Sequence, residues 1–259
     1  MLLKATFAKF LLASAGAVLV TTAGLQGDAV ETIRESDTKV DFPVVRRALG
    51  PTLEQPGGVQ HITGVAVRDK TVFSVNVYAY GLYVDPWAVQ EQLGAFTDRT
   101  AKQLGKDEEF YAALMSDKIE KTLRIVFVRN VDAEDVVEAF DGSLAPRIAK
   151  ARDEMELPDA TAELETFKGL FDIDKLRKGA ELVFSWTKGG VLRTTIDGEL
   201  QPELRSPGLC WALFDVYLGS DPIEEAGRKK MASRIPSILT VKLPPKPVAE
   251  PGGGAESGR

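Results

Sequence analysis

The order in which hydrophobic periodicity changes along this chain restricts its fold more than any other feature. Within GVAVRDKTVFSVNVYAYGLYVDP, residues 64–86, the pattern alternates with period two. Thr71, Phe73, Val75, Val77 and Ala79 share one face, which reads as core. Ser74, Asn76, Tyr78 and Tyr80 share the other, a polar and aromatic face unlike one simply left in water. HITGVAV, residues 61–67, reads as a neighbouring strand, and the β-branched run KTLRIVFVRNV, residues 121–131, as another. ELVFSWTKGGVLRTTIDGEL, residues 181–200, holds two more β runs around Lys188-Gly189-Gly190, the pattern of a hairpin.

Helical stretches fall between and after these strands. PWAVQEQLGAF starts with Pro86 in a first turn, and DEEFYAALMSDKI carries its acids where a helix N-terminus stabilises them. Asp132 approximates a cap for VVEAF and LAPRIAKARDEM, with Pro146 expected to interrupt or restart the helix. ATAELETFKGLF should close at Gly169. SPGLCWALFDVYLG and DPIEEAGRKKMASRIPSIL read as two adjacent helices joined through Gly219-Ser220-Asp221-Pro222. The resulting order is strand pair, helices, strand, helices, hairpin, helices. It lacks the strand–helix alternation of a doubly wound parallel sheet, so the class is α+β: a mainly antiparallel sheet with a helical layer.

Composition removes several kinds of chemistry. At 259 residues the chain can bury a sizeable core, and one compact domain is the expectation. His61 is the single histidine and Cys210 the single cysteine, so neither a disulfide framework nor an imidazole–thiolate metal site is expected. His61 reads as a strand or surface residue rather than a general base. A net charge of −6 argues against a dedicated nucleic-acid surface. No Gly-x-Gly-x-x-Gly fingerprint or phosphate loop occurs, and no cofactor is expected. The acidic pairs Glu108-Glu109 and Glu224-Glu225 stand at helix starts, where capping explains them.

The two ends differ from the body. Residues 1–26 carry Lys4 and Lys9 before an uncharged run, the plan of a signal peptide or membrane-targeting segment. A secretory or other membrane-bounded route is therefore expected, with mitochondrion or plastid as the alternative. Membrane association through this segment would follow, and a buried N-terminal helix is the plain alternative. The Pro/Gly-rich residues 244–259 read as a disordered tail. The body is expected over residues 27–243, as a monomer.

Arg68, Tyr78 and Tyr80 then stand out. A guanidinium offers a fixed fork of donors to a carboxylate or enolate oxygen, and a tyrosine hydroxyl adds one directed bond. The bland alternative is a hairpin-tip arginine beside sheet-edge tyrosines. Were RDK the tip of a simple hairpin, Tyr78 would lie roughly 20 Å along the returning strand at ~3.3 Å per residue. The two can meet only if the turn falls around residues 71–74, or if a bulge or crossing strand redirects the arginine.

GVAVRDKTVFSVNVYAYGLYV, LRIVFVRNVDAEDVVEAF and GLCWALFDVYLGSDPI, in this order, resemble the chalcone isomerase-like family over about residues 40–240. The resemblance implies an open-faced β-sandwich, in which a large antiparallel sheet is covered by helices with a ligand cleft between. It matches Arg68 to the family's cleft arginine and sets Tyr78 where the plant isomerases carry a catalytic threonine. The isomerases' active-site tyrosine and asparagine fall at approximately Val136 and Ser143, and a late-helix hydroxyl residue near Val216. Three polar positions have thus lost or shortened their hydrogen-bonding reach. The resemblance therefore implies a non-catalytic member that binds a fatty acid or similar amphipathic carboxylate through Arg68, Tyr78, Tyr80 and Asn76. The alternatives are an intramolecular lyase acting on a phenolic enone, and a structural or regulatory protein with a residual cleft.

Overall fold

The computed structural model describes residues 30–70 and 75–246, with the backbone alone at residues 70, 75 and 76. The expected targeting segment 1–26, the side chain of Asn76 and the tail beyond Lys246 lie outside the described residues. In chain order the elements begin with three short strands, β1 (Thr32–Arg34), β2 (Asp41–Pro43) and β3 (Val45–Arg47). The long strands β4 (Val59–Lys70) and β5 (Val75–Val84) follow, then helices α1 (Pro86–Gln92), α2 (Ala101–Leu104) and α3 (Glu108–Leu114). Next come β6 (Lys121–Phe127), β7 (Val131–Asp132), α4 (Ala133–Met155), α5 (Thr161–Lys168) and β8 (Lys175–Leu176). The chain continues through β9 (Glu181–Thr187), β10 (Val191–Ile196), β11 (Glu199–Leu200) and β12 (Leu204–Arg205). It closes with α6 (Pro207–Leu218), α7 (Glu225–Met231) and α8 (Ile235–Thr240).

One antiparallel sheet in the order β11-β10-β9-β6-β5-β4-β3, with β12 also paired to β10, forms the centre. The class is α+β, a large antiparallel sheet partly covered by helices, as the order of periodicities requires. The β9–β10 turn passes through Gly189 and Gly190 at φ 77° and 69°, backbone that glycine adopts without steric cost. Between sheet and helices lies the main core, where Tyr80, Leu82 and Val84 of β5 meet Leu209, Leu213 and Phe214 of α6. On the opposite sheet face a smaller cluster joins Phe42 of β2 to Ile62, Ala79, Tyr83 and Val126.

Several sequence expectations need correction. The face of β5 read as polar is the one under the helices: Tyr80, Leu82 and Val84 are buried in the main core, whereas Ala79 faces the smaller cluster. Alternation identifies two faces without saying which one helices will cover. The bland alternative of a hairpin-tip arginine does not hold, because β4 runs on to Lys70 and Arg68 stands inside it. Pro146 does not interrupt α4, which is continuous from Ala133 to Met155. A proline ring crowds the carbonyl four residues back, here that of Gly142, a residue whose missing Cβ would meet nothing within 4 Å. The last expected helix is two, α7 and α8, with Pro236 in the first turn of the second.

The expectation of a secretory or other membrane-bounded route, or of mitochondrion or plastid, is not upheld: among the described residues no helix is long and apolar enough to cross a membrane. Beyond α8 the chain rests on α1, where Trp87 Nε1 donates to the Pro244 carbonyl at 2.9 Å and Lys246 pairs with Asp85 at 2.9 Å.

Candidate functional site

The pairing of β4 with β5 sets Arg68 directly opposite Tyr78. Directly opposed residues of an antiparallel pair project to the same face with Cβ atoms ~5 Å apart, so the sequence distance between them is no obstacle. A register shift follows between Arg68 and Asp69, leaving residues 71–74 to join the strands.

At this end of the sheet a cleft of about 530 Å³ opens between β4, β5 and β6 on one side and α4 and α6 on the other. That volume suits a small molecule. Ile125, Phe127, Phe140, Leu182 and Leu213 form much of its wall, while Arg68, Tyr78 and Tyr217 line it with polar atoms. Arg68 Nη1 donates to the Ile223 carbonyl at 2.9 Å and lies 3.7 Å from a Glu224 carboxylate oxygen. Tyr78 and Tyr217 share a hydrogen bond at 3.3 Å between their hydroxyls. The Tyr78 ring stands edge-on to Phe127 at 5.8 Å. Burial pushes both phenols upward, although Arg68 partly opposes this, so each keeps its proton at neutral pH and remains a donor.

Sequence reasoning missed Tyr217. All residues of α6 from Gly208 to Leu218 are buried, so no apolar-to-polar contrast along the helix marks which side meets the cleft. Its neighbour Val216, together with Val136 and Ser143, does line the cleft. The three positions that depart from the isomerase pattern are thus brought together, two of them aliphatic.

Tyr80 is placed differently. It is completely buried, its ring 5.0 Å from that of Tyr217, and it is not part of the cleft wall. Its hydroxyl reaches α7 where a Cβ on Gly227 would come within 1.9 Å, so glycine there makes room for the phenol. His61 sits on β4 opposite Val84, outside the cleft, its imidazole pushed downward by burial and by Arg234. Cys210 is buried on α6, and burial pushes its thiol well up, which disfavours the thiolate. Among the described residues no cluster of histidine, cysteine and acidic side chains could hold a metal ion.

Comparison with known proteins decides the lineage. The family profile described as "Chalcone isomerase like" matches residues 60–232, which include the β4–β5 pair, α4, α6 and α7. The chain belongs to the chalcone isomerase-like family. This family member is 30% identical to Fatty-acid-binding protein 2 of Arabidopsis thaliana over 169 residues, 64% of this chain but only 42% of that relative's length. It is 22% identical to a chalcone–flavanone isomerase of Zea mays over 225 residues, 83% of this chain and 94% of the maize protein. The crystal structure of an Arabidopsis thaliana fatty-acid-binding protein superposes with a TM-score of 0.65, covering 81% of this chain and 99% of that one at 24% identity, a likeness of fold.

Proposed function

We propose that this chain binds a fatty acid or similar amphipathic carboxylate, with the headgroup at Arg68 and Tyr78 and the tail against the apolar wall of the cleft. The observation that carries the reading is the direct opposition of Arg68 and Tyr78 at one end of that cleft. Charged donors form the stronger hydrogen bonds, and a guanidinium whose Nη1 is anchored by the Ile223 carbonyl keeps its remaining edge oriented. Tyr217 is hydrogen-bonded to Tyr78, and because one hydroxyl proton is used between them the pair offers the ligand one phenolic donor. Tyr80 acts from behind, holding the Tyr78–Tyr217 pair by packing. Asn76 belongs to the proposal through its place on the same strand. The name of the Arabidopsis relative supports the ligand class. Intramolecular lyase chemistry finds less support, because Val136 and Val216 offer no donor to a developing enolate.

Calorimetry with a medium-to-long fatty acid and its methyl ester tests the reading. A hydrogen bond to a charged group contributes roughly 1.5–3 kcal/mol. Arg68→Ala should therefore weaken acid binding about tenfold or more and leave the ester little changed. Tyr78→Phe, which keeps the ring, should have the smaller effect. Equal affinity of wild-type protein for acid and ester, together with no effect of either substitution on acid binding in folded protein, defeats it. Native mass spectrometry of protein from its own host, followed by extraction, would identify what the cleft retains.

A further inference from the structure

Arg68 is not an isolated cation. Its Nη1 lies 3.7 Å from Glu224 Oε2, and the two side chains are 27% and 29% exposed, which leaves their attraction only partly screened. Asp69, the next residue along β4, lines the same end of the cleft. The rest of the wall adds Arg129 on the positive side and Asp132, Asp135 and Glu138 on the negative. An arriving carboxylate therefore meets a guanidinium already attended by the carboxylate of Glu224.

Glu224 is not what orients Arg68. The Ile223 carbonyl accepts from Nη1 at 2.9 Å, a proper hydrogen bond, whereas 3.7 Å to the carboxylate is beyond one. Nor does Glu224 cap α7 with its side chain, since no cap hydrogen bond forms there. What remains is charge. An adjacent anion reduces the attraction of Arg68 for a second anion and leaves its attraction for a neutral acceptor nearly unchanged.

We propose that Glu224 is a specificity residue, an internal competitor for Arg68 that lowers the cleft's preference for a carboxylate over the neutral headgroup of the same chain length. This rests on the reading of the cleft as the ligand site. It implies that neutral acyl amphiphiles, such as esters, are accepted alongside free acids, with Glu224 setting the ratio.

The test is the ratio of acid to methyl-ester affinity, measured by calorimetry at low and high salt in wild type, Glu224→Gln, Glu224→Ala and Arg68→Ala. Both Glu224 substitutions should raise acid affinity about fivefold and leave ester affinity unchanged, with the gain shrinking at high salt. A residue that merely positioned Arg68 would give the opposite sign, weaker acid binding. An unchanged or lowered acid-to-ester ratio in either Glu224 variant overturns the proposal. Arg68→Ala separates the two levels. If it loses acid preference while the Glu224 variants do nothing, the cleft reading stands and the role of Glu224 falls. If Arg68→Ala keeps full acid preference, the cleft reading fails as well.

Discussion

Individual side chains show how burial decides chemistry in this protein. Lys121 opens β6 with no exposed surface, its ammonium donating to the Ser116 carbonyl at 2.8 Å and lying 3.9 Å from the Trp186 ring centroid. Burial pushes this ammonium down to about 7, with Cys210, Asp117 and Glu120 pulling the other way. A lysine whose folded value lies below its unfolded value binds fewer protons folded than unfolded between the two. Its contribution to stability is therefore complete above the unfolded value, falls as pH drops through that window, and levels off below about 7. Stability should rise from pH 7 to about 8.5, by one or a few kcal/mol, before the buried phenols and Cys210 begin to oppose it. Lys121→Met should flatten that rise. Urea titrations of both proteins across the window would show it, and parallel pH profiles would mean that Lys121 titrates no differently when folded.

Single elements show how close backbone approach places the site. Helix α7 packs on β4, and a Cβ added at Gly64 would stand 1.9 Å from the Lys230 carbonyl oxygen and 3.2 Å from the Met231 Cα. These neighbours are backbone and cannot turn aside, so Gly64→Ala must push the helix off the sheet. That helix also carries Arg228, whose guanidinium forms a double hydrogen bond with Glu108 at 2.8 and 2.6 Å and joins α7 to α3. The substitution should cost about 2 kcal/mol or more and show as a lowered urea midpoint with an unchanged slope. A variant as stable as wild type would mean that α7 can lift away freely. Sequence makes the helices themselves legible, through signals such as Pro86 in the first turn of α1 and the acids Glu108 and Glu109 in the first turn of α3. It gives no sign that a glycine within β4 is where a helix backbone touches the sheet.

For the whole molecule, the cleft spans both layers, with walls from the sheet and from α4 and α6. A ligand held there binds the folded chain and not the unfolded one, so it must stabilise the fold by mass action. At a hundred times its Kd, a fatty acid should add ~2.7 kcal/mol. For a body of this size that is a rise of roughly 5–11 °C in Tm. Differential scanning fluorimetry across a concentration series would show a saturable rise for wild type, reduced in Arg68→Ala. A flat response at concentrations where calorimetry detects binding would place the ligand somewhere other than between the layers.

Local pattern determined the long strands, most of the helices, their order and the antiparallel class, because periodicity and capping act within a few residues and leave their mark on neighbours. It also marked Arg68 and Tyr78, since a charged fork and a phenol amid alternating apolar residues are conspicuous wherever they point. Register, covering and proximity were decided only in three dimensions. Which face of β5 the helices cover depends on α6, more than a hundred residues later in the chain. The opposition of Arg68 to Tyr78 depends on where β4 stops, and the approach of Tyr217 and Glu224 on how α6 and α7 cross the sheet. Those distances follow from packing two layers against each other, an energy summed over the whole core rather than written in any short stretch of residues.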